Sequence, residues 1–381
     1  MAFPILNLVQ GGKPYFDLLA RLIDDSKDTI HLQFYIFDEG HTGNLIIEHL
    51  IQAAKRGVKI YLLVDGYASQ NLSAATLEKL RSNHIHFKFF EPLLKSKRFY
   101  FGRRLHHKIV VIDTFKAMIG GLNVSDRYND LPGKPAWLDF AIYLEGYTAQ
   151  QLCILCWKTW KNFPVNLGKT PCENIFYPPD LISTEIAEIK MLRNDWVRRK
   201  IQVTNTYHKL IKSAKKDIII LSSYFLPGMT IRKLLVRAIA RGVRVRVISA
   251  GHSDVAVAKD AERWLYDWIL RNNIELYEYQ PRVLHGKLSI CDHQWFTLGS
   301  YNINDISARA SIELNLEIHQ KEITDTLCSQ VESIMEHDCI RITKEVRKKT
   351  TNVFLRLRQW FAYEFIRIVL YLFTFYFKQS R

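Results

Sequence analysis

Short β-branched runs alternate along this chain with stretches whose apolar residues recur three and four positions apart. Thr29–Gly40 (TIHLQFYIFDEG) precedes LIIEHLIQAAKRG, and Ile218–Gly228 (IIILSSYFLPG) precedes IRKLLVRAIARG. Runs of the first kind suit buried strands, and runs of the second suit helices that lay one apolar face on a sheet. The alternation predicts an α/β fold of mixed sheets flanked by helices.

The pattern also repeats. Lys55–Ser69 (KRGVKIYLLVDGYAS), Leu105–Asp113 (LHHKIVVID) and Ile119–Asn123 (IGGLN) are answered in order by Ala240–Asp254 (ARGVRVRVISAGHSD), Leu284–Asp292 (LHGKLSICD) and Leu298–Asn302 (LGSYN). Tyr35 and Tyr224 are 189 positions apart, Arg56 and Arg241 185, and His106 and His285 179, so the copies differ by loop insertions and deletions. Such self-similarity is the mark of a duplicated unit. Pro164, Pro171, Pro178 and Pro179 punctuate the connection. The expected division is a first lobe over residues 1–165, a linker over 166–190, a second lobe over 191–338 and a tail over 339–381.

With 381 residues, 48% hydrophobic and 24% charged, the chain can bury a sizeable core, which excludes intrinsic disorder and a polytopic membrane protein. The start lacks the basic and apolar regions of a signal peptide, and six cysteines are spread along the chain. Both features point to a reducing, intracellular setting rather than a disulfide framework. The net charge of +15 favours a polyanionic partner.

Much of that charge is local. From Arg341 to Arg381 ten Lys and Arg face two acids, beside an apolar, aromatic run from Val353 to Phe377. Its longest uncharged stretch, Ile368–Phe377, is ten residues, against about 20 needed to span a bilayer. The tail is therefore expected as an amphipathic helix lying at an anionic membrane surface, although periodicity alone also allows it to dock on protein. A second basic run, Lys95, Lys97, Arg98, Arg103 and Arg104, interleaves with Phe99, Tyr100 and Phe101 and fits either a solvated loop or an anion-binding surface.

The candidate chemistry is the motif His-x-Lys-x4-Asp, present as His106, Lys108, Asp113 and as His285, Lys287, Asp292, with Gly120 and Asn123 or Gly299 and Asn302 following at equal spacing. Residues two apart share a strand face, so each His and Lys project together, while each Asp is expected to orient or support. A hairpin turning at Thr114 and Phe115 would set Asn123 opposite His106, and its counterpart would set Asn302 opposite His285. An imidazole, an ammonium and a carboxamide suit a phosphodiester: Lys and Asn hold phosphate oxygens, and His attacks phosphorus or protonates the leaving group. Asp139 and Glu313 are candidate partners for the distal ring nitrogens. No cluster of carboxylates suits a catalytic metal, so neither a metal nor another cofactor is expected. His107 faces away from His106 and reads as packing or surface, and Cys153 and Cys156 read as a buried helix face.

These motifs, with LQFYIFDEG, HHKIVVID, GGLNVSDRY and LHGK, resemble the phospholipase D superfamily and, within it, bacterial cardiolipin synthases, over about Phe3 to Glu336. The resemblance implies two pseudo-symmetric lobes and a metal-free phosphatidyl transfer through a phosphohistidine. It carries His106, Lys108, Asn123, His285, Lys287 and Asn302 onto the phosphate, Asp113 and Asp292 as motif acids, and Asp139 and Glu313 as His partners. It further implies phospholipid substrates, phosphatidylglycerol first and phosphatidylethanolamine as a second candidate, while the apolar tail argues against nucleic acid and for peripheral attachment at the cytoplasmic face of the membrane. A phospholipase D-type phosphodiesterase, acting on lipid or nucleic acid, is the competing activity.

Overall fold

In the computed structural model the chain divides into two compact units, Met1–Met191 and Leu192–Arg381. The structure describes residues 6–92, 103–164, 166, 168, 170–172, 188–304, 307–308 and 311–378, with side chains to residue 369. Most of the expected linker lies outside the described residues, as do Lys95, Lys97, Arg98, Phe99, Tyr100 and Phe101.

The first unit runs β1 (Leu6–Gln10), α1 (Lys13–Asp24), β2 (Thr29–Phe34), α2 (His41–Lys55), β3 (Lys59–Asp65), α3 (Ala74–Ser82), β4 (His86–Phe90), the two-residue β5 (Arg104–Leu105), β6 (Lys108–Ile112), β7 (Lys116–Gly120), β8 (Phe140–Glu145) and α4 (Tyr147–Trp160). Its sheet has the order β1-β8-β7-β6-β2-β3-β4. Strands β2, β3 and β4 are parallel, with helices as crossovers, and β6, β7 and β8 continue the sheet antiparallel.

The second unit contains β9 (Glu188–Asp195), β10 (Lys200–Ile201), α5 (Gln202–Ser213), β11 (Asp217–Ser222), α6 (Met229–Ala240), β12 (Arg244–Ala250), α7 (Ala256–Trp264), α8 (Tyr266–Arg271), β13 (Glu275–Tyr279), β14 (Lys287–Cys291), β15 (Trp295–Gly299), β16 (Ser311–His319), a helix Lys321–His337, β17 (Cys339–Ile342) and helices Lys344–Thr350 and Val353–Lys378. Its strands follow β10-β9-β16-β15-β14-β11-β12-β13-β17. From β16 to β13 this is the order and direction of β8 to β4, so the duplication seen in the sequence is a duplication of sheet topology.

One face of each sheet packs apolar helices: α1 and α2 bury Phe16, Leu19, Ile46 and Leu50 against Ile30, Leu32, Ile60 and Val110, and Leu210, Leu234 and Leu235 cover Ile218, Ile220 and Val247. The opposite face is also buried and carries polar groups among its apolar ones. His31 and Gln33 of β2 lie under α4, where Gln33 donates to the Cys156 carbonyl at 2.8 Å and meets His107 Nε2 at 2.7 Å. His107 is thus packed inside. In the second unit Arg246 bridges Asp217 (2.6 Å) and Glu332 of the helix Lys321–His337 (3.0 Å). Burial pushes the His31 imidazole down to about 3 and keeps it neutral.

Three expectations are corrected. The hairpin register is shifted by one residue from the expected one in both copies: Lys108 pairs with Gly120 and Ile112 with Lys116, Leu288 with Leu298 and Cys291 with Trp295. The turns use three residues, two of them left-handed (Asp113 φ 50° and Thr114 φ 61°; Asp292 φ 53° and His293 φ 57°), and this longer loop shifts the centre. Cys153 and Cys172 form a disulfide, because the chain after α4 returns to bring their Cα atoms within 5.8 Å; Cys156, Cys291 and Cys328 are buried thiols. The segment from Cys339 is continuous with the second unit: β17 pairs with β13, and the C-terminal helix packs on α7 with Arg358 bonded to Asp260.

Candidate active site

Because β6 runs antiparallel to β2, and β7 antiparallel to β6, the start of β6, the end of β7 and the end of β2 share one edge of the sheet. That edge lies at the carboxyl ends of the parallel strands, where open α/β sheets bind ligands. His106 precedes β6 by two residues, Asn123 follows β7, and Tyr35 and Ile36 follow β2. Asp139, just before β8, belongs to the same edge.

In the first copy Lys108 is buried, donates to the His106 carbonyl and stands 5.4 Å from the Tyr35 ring centre. The His106 ring meets Tyr35 edge-on at 5.0 Å. The Asn123 side-chain oxygen accepts from the Ile36 backbone N–H at 2.9 Å, and its amide donates to the Tyr128 hydroxyl at 3.0 Å. Imidazole, ammonium and carboxamide are therefore gathered about one dipeptide, Tyr35–Ile36.

The second copy repeats the plan with different pins. Lys287 lies 3.0 Å from Nδ1 and 3.2 Å from Nε2 of His285 and also donates to the His285 carbonyl. The Asn302 side-chain oxygen accepts from Ser223 Oγ at 2.7 Å, just beyond β11. Gly120 and Gly299 are explained by close approach: a Cβ would fall 2.4 Å from the Phe140 carbonyl oxygen and 2.2 Å from that of Leu314.

Asp113 and Asp292 are not brought to this edge. Each stands at the far end of its strand, where Asp113 accepts from the backbone N–H groups of Lys27, Asp28 and Thr29 (2.9, 2.8 and 3.0 Å), and Asp292 from those of Lys215, Lys216 and Asp217 (2.9, 2.7 and 2.9 Å). Burial alone would raise the Asp292 carboxyl, but these N–H bonds outweigh it and hold it below the usual range. Both carboxylates thus fix the entry into an interior strand of their sheets, β2 or β11. Asp139 is fully buried, accepts from the Phe140 N–H at 2.7 Å and lies against Gly121. Glu313, also fully buried, accepts from Ser300 Oγ at 2.5 Å.

Several positioning residues escaped the sequence reading. Asp65, at the end of β3, accepts from the Leu105 N–H at 2.8 Å and from Tyr67 and Ala68, with Arg104 at 3.5 Å, and so fixes the residue before His106. Burial raises its carboxyl despite those partners. Asp126 accepts from His41 and Thr42 at the start of α2, and Asp130 from Lys13 at the start of α1, tying the loop after Asn123 to two helix N-termini. In the second copy buried Glu262 accepts from Phe225 at 3.2 Å. The repeat marks Tyr35 through its counterpart Tyr224, though not as a site residue, and no local pattern marks Asp65 or Glu262. Arg103 and Arg104 of the expected basic surface are turned inward, Arg103 onto Glu91 at 2.7 Å and Arg104 onto Asp65.

A family model described as "Cardiolipin synthase, PLD-like domain" matches residues 19–132 and 207–338, one block in each copy. Cardiolipin synthase B of Escherichia coli K12 is 29% identical over 349 residues, covering 91% of this chain and 84% of that protein. Cardiolipin synthase B of Salmonella typhi is 30% identical over 358 residues with the same coverage. Phosphatidylserine synthase of Haemophilus influenzae has the same fold, with a TM-score of 0.72 at 13% identity over 95% of this chain and 93% of that one. With both blocks spanning a His, Lys and Asn set, the chain belongs to the phospholipase D-like cardiolipin synthase family and is a phosphatidyltransferase of that superfamily.

Proposed function

We propose that the protein moves a phosphatidyl group from one phospholipid, such as phosphatidylglycerol, to the hydroxyl of another, yielding a cardiolipin. The observation that carries this reading is the assembly of an imidazole, an ammonium and a carboxamide at the same strand edge in both copies. His106 attacks phosphorus through a ring nitrogen lone pair, and the phosphorus–oxygen bond to the leaving alcohol breaks. That oxygen takes a proton from His285. The acceptor hydroxyl then gives its proton to His285, its oxygen attacks the phosphohistidine, and the phosphorus–nitrogen bond breaks to restore His106. Lys108, Lys287, Asn123 and Asn302 hold the phosphate oxygens as charge develops. Asp139 and Glu313 serve as the partners that orient the histidines, and Asp113 and Asp292 act through the strands they anchor.

The C-terminal helix supports a lipid rather than a nucleic-acid substrate. One side docks on α7, with Gln359 buried against Arg347, while Phe354, Phe361, Phe365 and Ile368 are exposed. Among the described residues no helix is long and apolar enough to cross a membrane. The exposed aromatics enter the acyl boundary of the cytoplasmic leaflet and hold the enzyme peripherally.

The test is rapid acid-free quenching after brief exposure to labelled phosphatidylglycerol vesicles. Mass spectrometry should place a base-stable, acid-labile adduct on His106, absent in His106→Ala. No adduct on either histidine of the wild type would remove the covalent step, and phosphatidic acid as the sole product would favour the hydrolase.

A further inference from the structure

A cavity of about 650 Å³ opens where the helices Lys344–Thr350 and Val353–Lys378 meet α8. It is lined by five cations, Arg271, Lys344, Arg347, Lys348 and Arg356, and a single carboxylate, Asp267. That carboxylate is already shared, with Arg347 Nε at 3.3 Å from one oxygen and Arg356 at 3.3 Å from the other. Arg347 is buried and held in place by the Arg263 carbonyl (3.0 Å) and Gln359 (2.8 Å). The cavity therefore has a rigid basic floor with Lys344 and Lys348, one helical turn apart and exposed, at its rim. The first turn of the long C-terminal helix also contributes to the wall through Asn352, Val353 and Arg356, and its N-terminal dipole favours an anion.

What distinguishes this from a general basic surface is its neighbour. Val353 lines the cavity and is 77% exposed, Phe354 beside it is 76% exposed, and Leu357 follows one turn on. An anion seated on the cations has an apolar track leading out alongside it. Nucleic acid offers phosphate without the apolar part, whereas an anionic phospholipid offers both.

We propose that this cavity seats the phosphate head group of an anionic phospholipid resident in the bilayer, a site separate from the His, Lys and Asn sets, with its acyl chains lying along Phe354 and Leu357. The proposal rests on the reading that the C-terminal helix lies on a membrane. Its volume is within the usual range for a small-molecule site, enough for a head group. The site would anchor the enzyme at lipid of the charge class it acts on.

The test is flotation of the full-length protein with vesicles of phosphatidylcholine alone or of phosphatidylcholine with phosphatidylglycerol, comparing Lys344→Glu/Lys348→Glu with Lys212→Glu/Lys215→Glu, which changes the same charge elsewhere in this unit. Each cation near an anionic surface contributes enough that losing the first pair should weaken binding to the anionic vesicles roughly tenfold or more. The control pair should lose much less, and binding to phosphatidylcholine and turnover of a water-soluble phosphodiester should be unchanged. Equal losses in both pairs, with the wild type still bound, would overturn the site and leave the membrane reading intact. A wild type that floats with neither vesicle would overturn both. Full competition by soluble glycerophosphate at low millimolar concentration would show a small-phosphate site and overturn the lipid assignment.

Discussion

Lys287 holds its ammonium 3.0 Å from Nδ1 of His285 and donates to the His285 carbonyl, and Lys108 donates likewise to the His106 carbonyl while standing over Tyr35. Two motifs with the same spacing thus share the lysine's bond to the carbonyl of its histidine, though the group that pins each asparagine differs, the Ile36 N–H in one copy and Ser223 Oγ in the other. Both lysines are nonetheless buried at the same edge of their sheets.

Removing either ammonium should cost rate more than binding. A donor aimed at developing phosphate charge contributes about 10²–10³-fold. Lys108→Met and Lys287→Met should each lower kcat by about that much, measured as cardiolipin formed from phosphatidylglycerol vesicles, with unchanged melting temperature. A variant with wild-type kcat would remove that lysine from the phosphate.

Asp65 should act through Leu105. Asp65→Ala frees the backbone just before His106, and misplacement of a reacting group by about 1 Å can cost roughly 10²-fold. The fall should appear in kcat with little change in KM. Asp65→Asn, which keeps an acceptor for the Leu105 N–H, should recover part of the loss; equal loss in both variants would count against positioning.

Asp292 should contribute acid-sensitive stability. Its folded-state pKa is depressed, so its contribution is present above the unfolded value and is lost as pH falls through the folded one. Asp292→Asn should be less stable than wild type by about 1–2 kcal/mol near neutral pH, and the gap should close below about pH 4 in denaturant titrations. A gap that persists undiminished at pH 2 would show that charge is not the source.

The exposed face of the C-terminal helix should hold the protein to lipid without affecting its fold. Phe354→Ser/Phe361→Ser/Phe365→Ser removes apolar groups worth about 1.5–3 kcal/mol each when buried. Vesicle affinity should fall by more than about a hundredfold, with the melting temperature and hydrolysis of a soluble phosphodiester retained. Truncation after Asp338, by contrast, would strip β17 from β13 and should destabilise the second unit. Retained vesicle binding in the triple variant would move the attachment surface elsewhere.

The sequence by itself determined the duplication, the α/β alternation and the His, Lys and Asn sets, because these rest on short-range periodicity and on two copies that corroborate each other. Tertiary structure decided whatever depends on a partner distant in the chain. TIHLQF alternates as though His31 and Gln33 met water, yet α4, more than a hundred residues on, covers them. Arg103 and Arg104 read as surface charge, but Glu91 and Asp65 draw them inward, since a buried carboxylate recruits the nearest cation. The motif acids stand at a fixed spacing from each His and Lys, yet strand direction carries them to the far edge, where backbone N–H groups need an acceptor. The tail's helical period was legible, but which side faces protein was set by the ion pairs and packing that α7 and α8 supply.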